Sequence, residues 1–285
     1  MLSPCSLETF GNGMLTMSEA PSKVRHGRRL VIQSHRRPLP WQWLETCLAT
    51  VSSWAEKNGF DYRFVDDALF ETLPSEVRRK TRERPVVASD LARLLAISEA
   101  LAAGYDAVVW MDADSLVIDP RRLQIPDVPY ALGREVWVQP EGSGYRARVK
   151  VHNAFLLFQA ENPFLDFYIH AADRIIRRHD GPMVPQLVGP KLLTALHNII
   201  AFPVVEEAAM LSPAVARDLL ADARSGLGAG TRPALDLFRA RCVAAPAVVN
   251  LCGSLVSNRG GPAELSAGEV ADLIDLLLAE PTLLG

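Results

Sequence analysis

The sequence of 285 residues lacks the features of a membrane, secreted or disulfide-rich protein. No apolar run approaches the eighteen or so residues that a membrane span needs. The first twenty residues have neither the basic start nor the continuous apolar segment of a signal peptide. The four cysteines form no Cys-x-x-Cys pair and have no zinc-ligand spacing with histidine; they are Cys5, Cys47, Cys242 and Cys252. We therefore expect reduced cysteines and a cytoplasmic protein.

An excess of positive charge is also missing. Lys and Arg number 30 against 33 Asp and Glu, so the formal net charge is −3, and the pI is about 6.1. This balance argues against a nucleic-acid partner. Local basic runs at 25–37 and 78–84 are typical of solvated surface, and binding of an anionic acceptor or a membrane face is the alternative.

The composition suits one large α/β domain, since 49% of the residues are hydrophobic and 22% are charged. We expect residues 1–27 to be disordered and residues 28–285 to form a single domain. Short apolar runs predict strands at 29–34, 60–65, 108–111, 117–118, 130–135, 151–158 and 243–249. Helical spacing and capping signals predict helices at 41–57, 90–103 and 163–178, and others that begin near Pro190, Pro213 and Ser266.

The first strand, helix and strand form a βαβ unit, which predicts a parallel start to the sheet. In such sheets ligands contact the carboxyl ends of the strands. Gln33 and Ser34 end the first strand, and Asp66 ends the second, so all three are candidate ligand contacts. For Asp66 an ordinary turn cap is the alternative. The segment 139–150 has no periodicity and is either a mobile loop over the site or a surface hairpin.

A pair of carboxylates follows the apolar run Val108–Met111. In an extended chain Asp112 and Asp114 point to the same side, and two hard oxygen ligands suit Mg²⁺ or Mn²⁺. The bare Asp-x-Asp pattern is weak evidence, because about one is expected by chance in a chain of this length. A solvated turn after a strand is the alternative, so the surrounding residues must decide.

Those residues carry a family resemblance. Gly104-Tyr105-Asp106-Ala107-Val108-Val109-Trp110-Met111-Asp112-Ala113-Asp114 resembles the Asp-x-Asp segment of GT-A glycosyltransferases, among them capsular polysaccharide, mannosyl- and galactosyl-transferases. The resemblance implies a GT-A fold, an α/β architecture with a mixed, mainly parallel sheet flanked by helices. It also implies Mn²⁺ or Mg²⁺ held against the diphosphate of a UDP- or GDP-linked sugar. Residues 28–118 would then form the nucleotide-sugar half and residues 119–285 the acceptor half.

The resemblance extends to residues outside the acid pair. It implies that Asp90 and Arg93 contact the donor sugar and phosphates, although a first-turn acid in a surface ion pair would look the same. It implies that Asn153 contacts the sugar or the acceptor. His152 is a weaker candidate, because a lone histidine is more often structural.

Later in the chain, Gly189-Pro190 and the residues around it resemble a segment that lies beside the reacting sugar in several retaining members of the family. Gln186 or Lys191 is the candidate there, and a capped helix with an exposed lysine is the alternative. Asn250 stands where a histidine commonly completes the metal site, which makes it the candidate third ligand. Gly253 and Ser254 would form a turn at the phosphates.

These residues predict a metal-dependent glycosyltransferase that uses a nucleotide-sugar donor. The acceptor would be a carbohydrate, a lipid-linked molecule or a small molecule, and the last helix would serve core or dimer packing. No isolated acid is placed to act as a base, which favours retention. The alternatives are a phosphatase of the haloacid-dehalogenase type, in which the first acid is the nucleophile, and a non-catalytic relative of the transferases.

Overall fold

The computed structural model describes residues 27–226, 231–252 and 265–285. The helices of these ranges are α1 (Trp43–Lys57), α2 (Ser75–Lys80), α3 (Pro85–Ala102), α4 (Pro163–Arg178), α5 (Pro190–Ile199), α6 (Pro213–Ser225), α7 (Pro233–Arg241) and α8 (Ala267–Ala279). The strands are β1 (Arg29–Ser34), β2 (Asp61–Val65), β3 (Ala107–Met111), β4 (Ser115–Val117), β5 (Tyr130–Glu141), β6 (Gly144–Gln159), β7 (Val204–Val205), β8 (Ala208–Met210) and β9 (Val248–Asn250). Short 3-10 helices span Asp67–Thr72 and Pro281–Leu284.

The main sheet has the strand order β2-β1-β3-β6-β5-β7. Strand β1 runs parallel to β2 and β3, and β5 runs parallel to β7. Strand β6 is antiparallel to both of its neighbours, β3 and β5. The α/β fold with a mixed, mainly parallel sheet is therefore confirmed, and it begins with the predicted βαβ unit.

Strand β3 lies at the centre and is buried on both faces. Val108 and Trp110 face the core formed with α3 and α4, whereas Val109 and Met111 face the opposite core beneath α1. None of these four side chains is more than 1% exposed, and burial of each contributes about 1.5–3 kcal/mol. This packing fixes where the strand ends, and the acid pair follows at that end.

The second sheet has the strand order β4-β9-β8, and its first strand begins directly after the acid pair. Strand β4 starts at Ser115 and runs antiparallel to β9, so that Ser115 lies opposite Asn250. The backbone N–H of Leu251 donates to the carbonyl of Asp114 at 2.9 Å. The sheet therefore brings Asn250 to the acid pair from 136 residues further along the chain.

Two predicted boundaries are wrong. Helix α3 begins at Pro85, not after Ser89, because proline fixes a helical φ at the first position and the helix continues through Ser89. The last strand covers only Val248–Asn250 instead of 243–249. Pro246 offers no backbone N–H to a ladder, and Val243 is 80% exposed.

The segment 139–150 belongs to a surface hairpin, in which β5 and β6 pair as far as Glu141 and Gly144. Gly142 has a φ of +59° in the turn, where glycine is favoured. The hairpin was one of the two predicted alternatives.

The basic run at 78–84 is more than solvated surface. Lys80 donates to the backbone carbonyls of Arg177 and His179, and Arg84 donates to that of Met183 at 2.8 Å. These bonds tie the end of α4 and the loop after it to the end of α2 and the start of α3. No helix of the described ranges is long and apolar enough to cross a membrane. Cys47, Cys242 and Cys252 are free thiols.

Candidate active site

The acid pair lies where two cavities meet. Asp112 and Asp114 line both a smaller cavity of about 180 Å³ and a larger one of about 560 Å³. Asp112 follows β3 directly, and its backbone N–H donates to the carbonyl of Ala154 on β6 at 2.9 Å. The larger volume falls within the range typical of small-molecule sites.

The carboxylate of Asp112 is held by two donors on the same oxygen. Nε1 of Trp110 donates to Oδ1 at 2.7 Å, and Nη1 of Arg93 lies 2.9 Å from that atom. Behind it, Nε2 of Gln33 donates to the Asp112 backbone carbonyl at 3.1 Å. Gln33 in turn accepts a hydrogen bond from the Tyr62 hydroxyl at 3.0 Å. These contacts fix both the backbone and the side chain of Asp112.

Asp114 is held from the second sheet. Nδ2 of Asn250 donates to its Oδ1 at 2.6 Å, and Oδ1 of Asn250 accepts the N–H of Cys252 at 2.9 Å. The juxtaposition of Asn250 and Asp114 agrees with the sequence-based expectation. In this orientation Asn250 presents its amide nitrogen to Asp114, so its role as a metal ligand stays a prediction.

Asp90 and Arg93 form a buried cluster with Asn153. Nη1 of Arg93 donates to the Asn153 backbone carbonyl at 2.6 Å, and Nδ2 of Asn153 donates to Oδ1 of Asp90 at 2.7 Å. Arg93 and Asp90 lie 3.6 Å apart, with side chains only 6% and 3% exposed. The alternative of a surface ion pair is therefore wrong. Their predicted contacts with a donor remain untested.

Burial shapes the charges of this cluster. It raises the pKa of Asp90 to about 6, against the opposing effects of Arg93 and the hydrogen bond from Asn153. The other oxygen of Asp90, Oδ2, is buried without a hydrogen-bond partner. Burial disfavours the charge of Arg93, but the carboxylates of Asp112 and Asp90 outweigh it and raise the pKa of the guanidinium. Arg93 therefore stays charged in the interior.

Gly189 sits against the same cluster at the start of α5. A Cβ at this position would lie 2.5 Å from Oδ2 of Asp90 and 2.8 Å from Nδ2 of Asn153. No side chain fits there without displacing the cluster.

His152 is buried beside the cluster but holds the two sheets together. Its Nδ1 accepts the N–H of Ala154 at 3.1 Å, and Nε2 lies 3.1 Å from the carbonyl of Ala208 on the second sheet. Since Nδ1 accepts, the proton is on Nε2. Burial lowers the pKa of His152 to about 4. His152 is therefore a neutral structural residue, which agrees with its weaker rank among the candidates.

The remaining candidates divide between cavity and scaffold. Ser34 lines the smaller cavity, and Gln186 lines the larger one, with a φ of +67°. A non-glycine residue in this region is strained, and such strain is common at functional sites. Gln33 is fully buried and its side chain is bonded to Asp112 and Tyr62, so it supports Asp112 from behind, and its direct contact with a ligand stays a prediction.

Asp66 caps the 3-10 helix, where its side chain accepts the N–H of Ala68 at 3.0 Å. This agrees with the turn-cap alternative. Lys191 lies on the exposed side of α5, and within the described residues it lines neither cavity. Gly253 and Ser254 lie outside the described residues.

Several residues of the site escaped the sequence analysis. Trp41 and Trp43 line the smaller cavity with their rings stacked 5.6 Å apart. The β5–β6 hairpin contributes one whole wall of the larger cavity, formed by Glu135, Trp137, Gln139, Arg148 and Lys150. The one available signal was the alternation of Val136 and Val138 with polar residues and Trp137, which is typical of a strand with one buried face.

The donor atoms of the acid pair fit a divalent cation. Among the described residues no group of three or more His, Cys, Asp or Glu side chains could hold a metal ion alone. Two carboxylates suffice when substrate phosphates and waters complete the shell, as is usual for Mg²⁺. The acid pair also creates a negative potential at the site. After burial, the charge of Asp114 is the main cause that raises the pKa of the Cys252 thiol.

No protein-family model and no curated protein matches the chain. Similar solved structures include a glycosyltransferase involved in the glycosylation of the major capsid of PBCV-1, with 12% identity, a TM-score of 0.41, and coverage of 87% of this chain and 98% of that one. The galactosyltransferase LgtC, in complex with donor and acceptor sugar analogues, has 13% identity, a TM-score of 0.39, and coverage of 87% and 95%.

The glycosyltransferase GlyE of Streptococcus pneumoniae TIGR4 has 11% identity, a TM-score of 0.38, and coverage of 90% of this chain and 64% of that one. At TM-scores of this size the likeness decides neither activity nor substrate. The chemistry of the site must do so.

Proposed function

We propose that this protein is a metal-dependent glycosyltransferase that moves a sugar from a UDP- or GDP-linked donor to an acceptor hydroxyl, with retention. One observation carries the proposal: Asp112 and Asp114 lie at the end of the central strand, where two cavities meet. A transferase needs two adjoining substrate sites with the reacting bond between them. An acid pair that holds a cation at this junction serves that reaction.

The smaller cavity suits the nucleoside end of the donor. All of its lining residues fall between 34 and 114, within the segment 28–118 predicted to bind the nucleotide sugar. Trp41 supplies an aromatic face for a base, and Ser34 a hydroxyl for hydrogen bonding. The larger cavity draws on both halves of the chain and accommodates the sugar and the acceptor.

The chemistry expected of the metal is charge neutralisation on the departing diphosphate, which contributes several kcal/mol in the transition state. Asp112 and Asp114 would hold the ion. Arg93 and Trp110 keep the Asp112 carboxylate oriented before any ligand arrives, so no reorganisation is needed when the bond breaks. Asn250 does the same for Asp114.

During transfer the bond between the anomeric carbon and the diphosphate oxygen breaks, and a bond from the acceptor oxygen forms. The acceptor proton must leave at the same time. Glu135 is the carboxylate of the hairpin wall. Burial raises its pKa, but the hydrogen bond from Lys150 at 3.4 Å holds it on the hairpin instead of on a substrate hydroxyl. Proton transfer to a leaving phosphate oxygen on the same face needs no such base and retains the configuration. Gln186, which lines the larger cavity, would steady the sugar.

A thermal-shift panel of UDP- and GDP-linked sugars, with and without Mn²⁺, tests the proposal. At a hundredfold excess over Kd, a bound ligand adds about 2.7 kcal/mol, or about 5–10 °C in Tm for a chain of this size. Asp114→Ala should abolish the Mn²⁺-dependent part of the shift. Asp127→Ala is the matched control, because Asp127 is exposed, lines neither cavity, and accepts a hydrogen bond from Gln159 at 2.9 Å.

Other outcomes decide against the proposal. If Asp114→Ala responds like the wild type, the assignment of that side chain is wrong. Release of phosphate from a simple phosphate monoester would favour the phosphatase. Donor binding without sugar transfer or donor hydrolysis would identify an inactive relative.

A further inference from the structure

The β5–β6 hairpin has two chemically different faces. Val136 and Val138 are buried in the core beneath it. Between and beside them, Glu135, Trp137 and Gln139 point to the other face and line the larger cavity. Because side chains alternate along a strand, this pattern builds a polar wall with one aromatic ring in it.

Cross-strand pairing places basic residues on the same wall. Trp137 lies directly opposite Arg148, and Glu135 lies directly opposite Lys150. Directly opposed residues share a face of the sheet, and Arg148 and Lys150 both line the larger cavity. The wall therefore presents two cations beside an indole ring.

Within the part of the chain that the structure describes, one of the two cations has no ion-pair partner. Lys150 pairs with Glu135 at 3.4 Å, and Arg93, deeper in the cavity, pairs with Asp112 at 2.9 Å. Arg148 is exposed, and no ion pair of the described residues involves it. The neighbouring Arg146 is different, since it pairs with Glu141 at 2.9 Å and does not line the cavity. Arg148 therefore brings to the larger cavity a positive charge that no described acid pairs.

The nucleotide donor does not account for this charge. Its diphosphate belongs at the acid pair, and none of the hairpin residues lines the smaller cavity proposed for the nucleoside. The wall therefore faces the second substrate. Resting on the proposed function, we propose that Arg148 and Trp137 select an acceptor sugar that carries an anionic group, a carboxylate or a phosphate.

Arg148 and Trp137 would bind different parts of the acceptor sugar. The planar guanidinium of Arg148 matches the two oxygens of a carboxylate or phosphate in a bidentate contact. The face of Trp137 is apolar and only partly buried, and it packs against the C–H groups of a sugar ring. Arg148 would therefore bind the anionic group, and the indole of Trp137 would pack against the sugar ring.

Calorimetric titration with simple sugars tests the proposal. The probes are glucose, glucuronate, glucose 6-phosphate and inorganic phosphate, each with and without saturating UDP and Mn²⁺. The wild type should bind glucuronate or glucose 6-phosphate at least about tenfold more tightly than glucose, the effect of one charge-assisted hydrogen bond. Which of the two is preferred identifies the anionic group.

Three variants separate the roles. Arg148→Gln should lose the preference for the anionic sugar and retain affinity for UDP with Mn²⁺. Trp137→Ala should weaken the binding of glucose and of the anionic sugars by the same factor. Arg146→Gln is the control on the same hairpin and should match the wild type.

Several results would overturn the proposal. One is equal or undetectable binding of neutral and anionic sugars by the wild type. Another is phosphate alone binding as tightly as glucose 6-phosphate, which would make the site a simple anion site. Loss of UDP binding in Arg148→Gln would assign the arginine to the donor. Failure of UDP and Mn²⁺ to bind the wild type would instead refute the proposed function. The titrations without nucleotide would still show whether Arg148 and Trp137 bind an anionic sugar.

Discussion

Two buried titratable groups near the site should give opposite pH dependences of stability. The pKa of His152 falls from its ordinary 6.5 to about 4, chiefly through burial. The unfolded chain therefore binds a proton between pH 4 and 6.5 that the folded chain does not. The stability that depends on neutral His152 is present above pH 6.5 and is lost as the pH falls toward 4.

Asp90 behaves in the opposite way. Its pKa rises from 3.8 to about 6 through burial, so the folded chain holds a proton between these values that the unfolded chain releases. That contribution is fully present below pH 3.8 and is lost as the pH rises through 6. At about 1.4 kcal/mol per unit of pKa, each group contributes about 3 kcal/mol in total. Between pH 6.5 and 4.5 each accounts for about 2 kcal/mol, with opposite sign.

The variants His152→Asn and Asp90→Asn expose the two contributions one at a time. On acidification from pH 6.5 to 4.5, His152→Asn should lose about 2 kcal/mol less free energy of unfolding than the wild type. Asp90→Asn should lose about 2 kcal/mol more. Urea denaturation followed by tryptophan fluorescence, at constant ionic strength and with EDTA, measures both. The comparison uses only differences between pH values, so any fixed cost of a substitution cancels.

If His152→Asn follows the wild-type pH dependence, His152 is not held neutral by the fold, and the hydrogen bonds to Ala154 and Ala208 do not exclude its charged form. If Asp90→Asn has the same pH dependence of stability as the wild type, the carboxylate of Asp90 is better solvated than its burial implies.

Two further substitutions test the packing behind the site by urea denaturation. Gly189→Ala should destabilise the fold by about 1–3 kcal/mol, because the added Cβ meets the Asp90 carboxylate. The control Gly268→Ala, at an exposed position of α8, should instead stabilise it by about 0.5–1 kcal/mol, and equal effects at the two positions would refute the overlap. Gln33→Leu should cost about 1–3 kcal/mol, since it removes one of the two donors to the carbonyl of Asp112 and the acceptor of the Tyr62 hydroxyl. Gln124→Leu, an exposed control, should change stability by less than about 0.5 kcal/mol.

Elements with strong local signals could be predicted from the sequence. Helix α4 spans Pro163–Arg178, the predicted range, because Asn162 caps it, a proline opens it and its apolar residues recur at helical spacing. The central strand and the acids after it were also predictable, since a run of four apolar residues stops at Asp112. The helix predicted to begin near Ser266 is confirmed as α8, where Ser266 and Glu269 form a capping box.

Contacts between distant segments could not be predicted in this way. Gln33 ends a strand like a ligand-binding residue, yet it meets Tyr62 and Asp112, which are 29 and 79 positions away. The wall of the larger cavity depends on hairpin register: Arg148 faces Trp137 only because the turn falls at Gly142. A shift of one residue would move every side chain of one strand to the other face, and periodicity alone does not fix that register.

The charges of the site lead to a last prediction, that metal and diphosphate bind cooperatively. The larger cavity is lined by four acids and three bases: Asp90, Asp112, Asp114 and Glu135 against Arg93, Arg148 and Lys150. Because the pKa of Asp90 is raised to about 6, the negative charge falls further as the pH drops toward that value. Such a nearly balanced site attracts a divalent cation weakly, and the cation needs diphosphate oxygens to complete its shell. We therefore expect Mn²⁺ alone and UDP alone to raise Tm little. Together they should raise it by more than the sum, with a coupling of about 1–3 kcal/mol. A full shift with Mn²⁺ alone would refute this reasoning, because the acid pair would then be a complete metal site without substrate.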